Sequence, residues 1–168
     1  YTMERLRAYY SDSGALESHP EIFDAVLLRK PASPLDFDRR LAAVMNFMTL
    51  EQAQTLAAAN KRVANILRKA EDQAIPAQPD PAIFQHAEEK QLYEELVAAE
   101  SVVEPLLASR NYTDALSHLA RLRAPVDAFF DAVMVMTEDP AVRRNRLALL
   151  ARMRESFLRV ADLSAINV

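Results

Sequence analysis

Lys61, Asn65 and Arg68 fall at i, i+4 and i+7, a spacing that lines side chains along one face of an α-helix, with Arg62 and Lys69 flanking them. Such a face suits the binding of a nucleotide. Lys and Arg neutralise phosphates, whereas Asn offers both a donor and an acceptor to a base edge, so affinity and specificity are divided between neighbours. The same pattern fits a plain solvated helix exterior, since basic faces are common on soluble helices. A second basic run, Arg143, Arg144 and Arg146, opens a later helix, and these side chains can reach either a ligand or an internal acid such as Asp131. The adjacent Phe129 and Phe130 have faces that stack on bases, and equally the positions of residues in an apolar helical stripe.

Catalytic chemistry finds little support. His19, His86 and His118 are far apart and none has a second His or a Cys four residues away, so no metal site is expected. The acid pairs Asp36/Asp38 and Glu94/Glu95 read as solvated, or as paired with Lys and Arg, rather than as acid–base machinery. With one glycine, Gly14, and no cysteine, the chain has no glycine-flanked serine nucleophile, no GxGxxG or GxxxxGK[ST] phosphate loop and no thiolate. By itself it is expected to be non-catalytic and to hold no cofactor.

The same shortage of glycine decides the elements that must carry these side chains. Hairpin turns need positive φ, so a chain with a single glycine and nine prolines is expected to be helical throughout. At 168 residues, 51% hydrophobic and 26% charged, it has the material for one domain, residues 1–168, with one sizeable core. The longest uncharged run, Leu41 to Leu50, is ten residues, short of the ~18 needed to span a membrane. No basic–apolar–small signal order opens the chain, and a soluble, cytoplasmic protein is expected. The first residue, Tyr1, is not Met, which points to a piece of a longer polypeptide or a processed product.

Local punctuation marks about seven or eight helices. Thr2 to Ser13 ends at Gly14, and His19-Pro20 opens a helix that stops before Pro31. Ser33-Pro34 starts the next, with Phe37, Leu41, Val44 and Met48 as its stripe. Thr49-Leu50-Glu51-Gln52 has the capping-box form and begins a helix to about Ala70, with Leu56, Ala59, Val63, Ile66 and Ala70 as its seam. Pro76, Pro79 and Pro81 mark a proline-rich loop near residues 72–87. Glu88 to Leu107 is an acidic amphipathic helix that Pro105 kinks or ends near its last turn. Thr113-Asp114 caps a short helix to about Leu122. Pro125 starts another carrying Val126, Phe129, Phe130, Val133 and Met134, and Asp139-Pro140 starts the last, to about Asp162.

The net charge of −4 argues weakly against indiscriminate nucleic-acid binding, but the charges are segregated. Between Glu71 and Glu104 nine acids face the single base Lys90, whereas Ala57–Ala70 carries four bases and no acid, and Ala141–Val160 six arginines and only Glu155. The expectation is a basic face that holds a polyanion, with the acidic arm keeping the remainder soluble.

Several stretches resemble one family: EIFDAVLLRKPASPLDFDRRLAAV (Glu21 to Val44), AANKRVANIL (Ala58 to Leu67), PVDAFFDAVMVMTED (Pro125 to Asp139) and RNRLALL (Arg144 to Leu150). They look like the C-terminal anticodon-binding region of the bacterial glycyl-tRNA synthetase β subunit, in order from ERLRAYY (Glu4 to Tyr10) to FLRVADLS (Phe157 to Ser164). The last third resembles the helical DALR-type module shared with arginyl and cysteinyl synthetases. The resemblance implies a non-catalytic fragment of a longer subunit, which pairs with an α subunit that uses ATP and magnesium to activate glycine. Its partner is then the anticodon stem-loop of glycine tRNA, with no DNA and no membrane. Glycine anticodons end in two cytosines, so acceptors for N4 amines and donors for O2 and N3 are needed, with bases for the phosphates. The residues this implies are Asn60, Lys61, Arg62 and Asn65, Arg39 and Arg40 in DFDRR, and Arg143, Arg144 and Arg146, with Arg39 also suited to an internal pair with Asp36 or Asp38. The competing reading is a purely structural helical domain that docks within the synthetase and touches no RNA.

Overall fold

Residues 20–27, 29 and 33–166 are described by the computed structural model; the helix expected over Thr2 to Ser13 lies outside them. Among the described residues every regular element is helical. The α-helices are α1 (Pro20–Leu27), α2 (Pro34–Phe47), α3 (Ala53–Lys69), α4 (Ala87–Ala108), α5 (Tyr112–Leu119), α6 (Arg123–Ala132) and α7 (Pro140–Leu158). Single 3₁₀ turns at Pro81–Ile83, Ala120–Leu122 and Leu163–Ala165 complete the chain. No helix among these residues is long and apolar enough to cross a membrane.

Two starts form as the sequence dictates. The Ser33 hydroxyl accepts the Asp36 amide at 3.1 Å, and Asp139 accepts those of Ala141 and Val142 at 3.0 and 3.4 Å, each followed by a proline whose missing N–H costs nothing at the first helical position. The capping box at Thr49 does not form. The Thr49 hydroxyl turns back to the Asn46 carbonyl (2.6 Å), satisfying the end of α2, and tight turns carry the chain to Ala53 before α3 begins. Asn111, two residues before Thr113, caps α5 by accepting the Asp114 amide. The cap is displaced because α4 ends in a Schellman turn: the Asn111 and Arg110 amides bond the Leu106 and Leu107 carbonyls (2.7 and 3.0 Å), with Arg110 at φ 60°.

The expected stripes are buried. Phe37, Leu41 and Val44 of α2, Leu56 and Val63 of α3, Leu92 and Leu96 of α4, and Leu147, Leu150 and Phe157 of α7 enter one core. Each such side chain is worth roughly 1.5–3 kcal/mol of apolar burial. Helix α4 packs on α5, α6 and α7, while α7 also meets α3 and α5. The C-terminal turn closes on α1 and α3, with the Asp162 amide on the Ala25 carbonyl at 2.9 Å.

Two helix ends differ from the pattern in sequence. Helix α6 stops at Ala132, so Val133 is extended and Met134 is 71% exposed rather than part of the seam. The turned-out Met134 carbonyl is taken by Arg146 Nη1 at 2.6 Å. Helix α7 stops at Leu158 instead of Asp162, and Arg40 Nη1 donates to the Arg159 and Val160 carbonyls at 2.8 Å each, replacing the helical bonds missing there.

Candidate nucleic-acid interface

The outer face of α3 presents Lys61 and Arg68 to solvent, with Asn65 half-buried between them. Arg68 Nη2 donates to Asn65 Oδ1 at 2.6 Å, so the acceptor of this amide is already engaged. Asn60 lies on the opposite side: it is 2% exposed and its Nδ2 donates to the Leu56 carbonyl one turn back, at 2.9 Å. Its position four residues after the seam residue Leu56 was the signal that it faces inward.

Arg62 leaves this stripe and crosses to α6. Its guanidinium lies 4.3 Å from the centroid of the half-buried Phe130 ring, while Phe129, edge-on to Phe130, is fully buried in the core. Phe129 takes the core position, and Phe130 packs at the edge of that core beneath Arg62. Beside this stack is an open cleft of about 470 Å³ between α3 and α6. Thr55, Ala58 and Arg62 form one wall, Asp127, Phe130 and Asp131 the other. Nothing in the sequence joins Arg62 to Phe130; only helix packing brings them together.

The arginines of α7 do not form the basic face expected of them. Arg146 is 3% exposed and pairs with the fully buried Glu89 of α4 at 2.5 Å. Arg152 pairs with Glu100 (2.7 Å), Arg159 with Glu104 (2.5 Å), and Arg154 with Asp162 (3.5 Å). The three α4 partners follow the same order along the chain as their arginines, so α4 and α7 lie side by side in the same direction and the acidic arm neutralises the basic helix. Arg143 bonds Gln73 Oε1 (3.2 Å) and the Thr137 carbonyl (3.0 Å), and Asn145 clasps the backbone N–H and carbonyl of Asp80 at 2.6 and 3.0 Å. The proline-rich loop is thus pinned to α7. Arg144 is half-buried and its Nε donates to the Pro140 carbonyl of its own helix at 3.1 Å.

In DFDRR the internal pair falls to Arg40, whose Nε donates to Asp36 Oδ2 at 2.8 Å with the guanidinium over the Tyr112 ring, while Arg39 is exposed. The Tyr112 hydroxyl also donates to Asp36. Burial alone would raise the pKa of Asp36, but the bonds from Tyr112 and Arg40 outweigh it and hold the carboxyl below its ordinary value.

Residues 56–166 match the family described as the DALR anticodon binding domain. The chain belongs to that family. Relatives extend the similarity past the DALR domain: the chain is 50% identical to the glycine–tRNA ligase beta subunit of Pseudomonas aeruginosa, over 167 residues. The corresponding subunits of Shewanella amazonensis and Vibrio atlanticus are 49% and 48% identical over the same length. In each case 99% of this chain is covered but only 24% of the relative, so it spans about a quarter of the proteins it matches. The resemblance drawn from the sequence motifs holds. Both walls of the cleft except Thr55 lie inside the DALR match, whereas Arg39 and Arg40 precede it.

Proposed function

We propose that this DALR domain recognises the anticodon stem and loop of glycine tRNA as part of a glycyl-tRNA synthetase β subunit. It supports ATP- and magnesium-dependent glycylation by the assembled α and β subunits, in the cytoplasm, without contributing a catalytic group. The observation that carries the reading is that a DALR domain exposes Lys61 and Arg62 on one helix, beside an aromatic-lined cleft. Lys61, Arg62 and Arg39 supply phosphate contacts, with Arg144 and the partly engaged Asn65 and Arg143 at the margins. Arg40, Asn60 and Arg146 act from inside, through bonds to Asp36 and the end of α7, to the Leu56 carbonyl, and to Glu89 and the Met134 carbonyl.

A docking role has its own support. Met134 and Met136, 71% and 50% exposed, flank the turn between α6 and α7 and suit contact with the remainder of the subunit. Charge reversal separates the readings. Lys61→Glu with Arg62→Glu in the assembled enzyme should weaken tRNA binding and flatten its salt dependence, with the fold intact by circular dichroism. A domain that only docks would leave tRNA affinity and its salt dependence unchanged.

A further inference from the structure

Resting on the tRNA reading above, we infer that the cleft between α3 and α6 is a nucleobase subsite that selects a base with an exocyclic amine on its pairing edge. Thr55, Ala58, Ala59 and Arg62 are spaced i, i+3, i+4 and i+7, so they share one face of α3. The two alanines leave a floor that no long side chain fills. Across the cleft, Asp127 and Asp131 stand one turn apart on α6 with Phe130 between them. Asp127 has a distant partner in Arg123, at 3.7 Å, and Asp131 has no hydrogen bond or ion pair among the described residues.

The wall chemistry restricts what can enter. Two carboxylates repel a phosphate, so the backbone of a nucleic acid is excluded from the cleft and directed to Lys61 and the outer side of Arg62. A base is different. Its face stacks on the planar Arg62 guanidinium, already seated on Phe130, and its edge turns to the carboxylates. Carboxylates accept hydrogen bonds and donate none, so they suit the N4 amine of cytosine or the amines of adenine and guanine. Uracil carries the O4 carbonyl where cytosine carries that amine, so a carboxylate placed there meets an acceptor instead of a donor, and the Thr55 hydroxyl supplies a donor for cytosine N3 or O2. The two cytosines that end a glycine anticodon are bases of the accepted kind.

The experiment uses the full-length β subunit assembled with its α subunit. Its probes are glycine tRNA transcripts with cytosine or uracil at each of the last two anticodon positions, and the readout is kcat/KM for glycylation. The parent enzyme should prefer cytosine. Asp131→Asn keeps the side-chain volume but adds a donor that can meet uracil O4, so the cytosine-over-uracil ratio at one position should fall by about tenfold or more. Phe130→Leu should lower kcat/KM on cytosine and uracil transcripts alike, by removing the stack. If the parent enzyme discriminates but Asp131→Asn and Asp127→Asn leave the ratio unchanged at both positions, the cleft is not the base subsite. If the parent enzyme does not discriminate and the Lys61→Glu, Arg62→Glu variant binds tRNA normally, the tRNA reading fails and this subsite with it.

Discussion

Arg110 occupies the left-handed region at φ 60°, where a Cβ crowds the following carbonyl and glycine does not. The chain places its single glycine elsewhere, at Gly14, and tolerates the strain because the Schellman bonds to Leu106 and Leu107 fix the turn into α5. Arg110→Gly should therefore stabilise the domain by up to about 1 kcal/mol, read from the midpoint of urea unfolding. A loss of stability would mean that the Arg110 side chain contributes more than its backbone costs. Asp36 gives a pH test at the same scale. Its folded pKa lies below the ordinary 3.8, so the unfolded chain takes up the proton first. The stabilisation is complete above that ordinary value and is lost as pH falls through the folded value. Unfolding followed from neutral pH to about pH 2.5 should show a steeper acid loss in the parent chain than in Asp36→Asn, which lacks the titration. Equal slopes would remove Asp36 from the acid transition.

The pairing of α4 with α7 distributes its energy unevenly. Arg159–Glu104 is solvent-exposed, and water and salt screen such a pair until it adds little to stability. Arg146–Glu89 is buried, and Arg146 also holds the Met134 carbonyl that ends α6. Removing one member of a buried pair strands the other charge, so Arg146→Met should cost about 3–5 kcal/mol. The double change with Glu89→Gln should recover part of it. Thermal unfolding of both variants checks this. A variant that lost tRNA binding at unchanged stability would instead make Arg146 a direct contact.

Across the whole molecule the electrostatics differ from the sum along the chain. The six arginines between Ala141 and Val160 look like a polyanion site in sequence, yet four are paired with acids, whereas Lys61, Arg62 and Arg68 on α3 are exposed and have no acid partner among the described residues. Each phosphate interaction removed by charge reversal on α3 should lower the slope of log affinity against log salt by about 0.7–0.9. For Lys61→Glu with Arg62→Glu that is a change of about 1.5, measured by tRNA binding across a salt series. The same reversal at Arg152, whose partner is Glu100, should leave the slope where it was.

Much of this protein could be read directly from its residues. One glycine dictated helices, prolines after Ser33 and Asp139 set two helix starts, and apolar spacing of three and four picked the core faces of α2, α3, α4 and α7. These are local properties, decided by backbone sterics and by which side of a helix a residue occupies. The ordered motifs likewise identified the family, since they span nearly the whole chain. Capping at Thr49, the early end of α6 and the fate of each charge were not legible, because each depends on a partner distant in sequence or on the preceding turn. Lys61 and Arg68 stay exposed as their positions indicated, but Arg40, Asn60 and Arg146 turn inward to carbonyls and carboxylates that only packing supplies. The Arg62–Phe130 stack joins residues 68 positions apart. A helical face tells which side chains can point outward together; the neighbouring helix decides which of them remain free to bind.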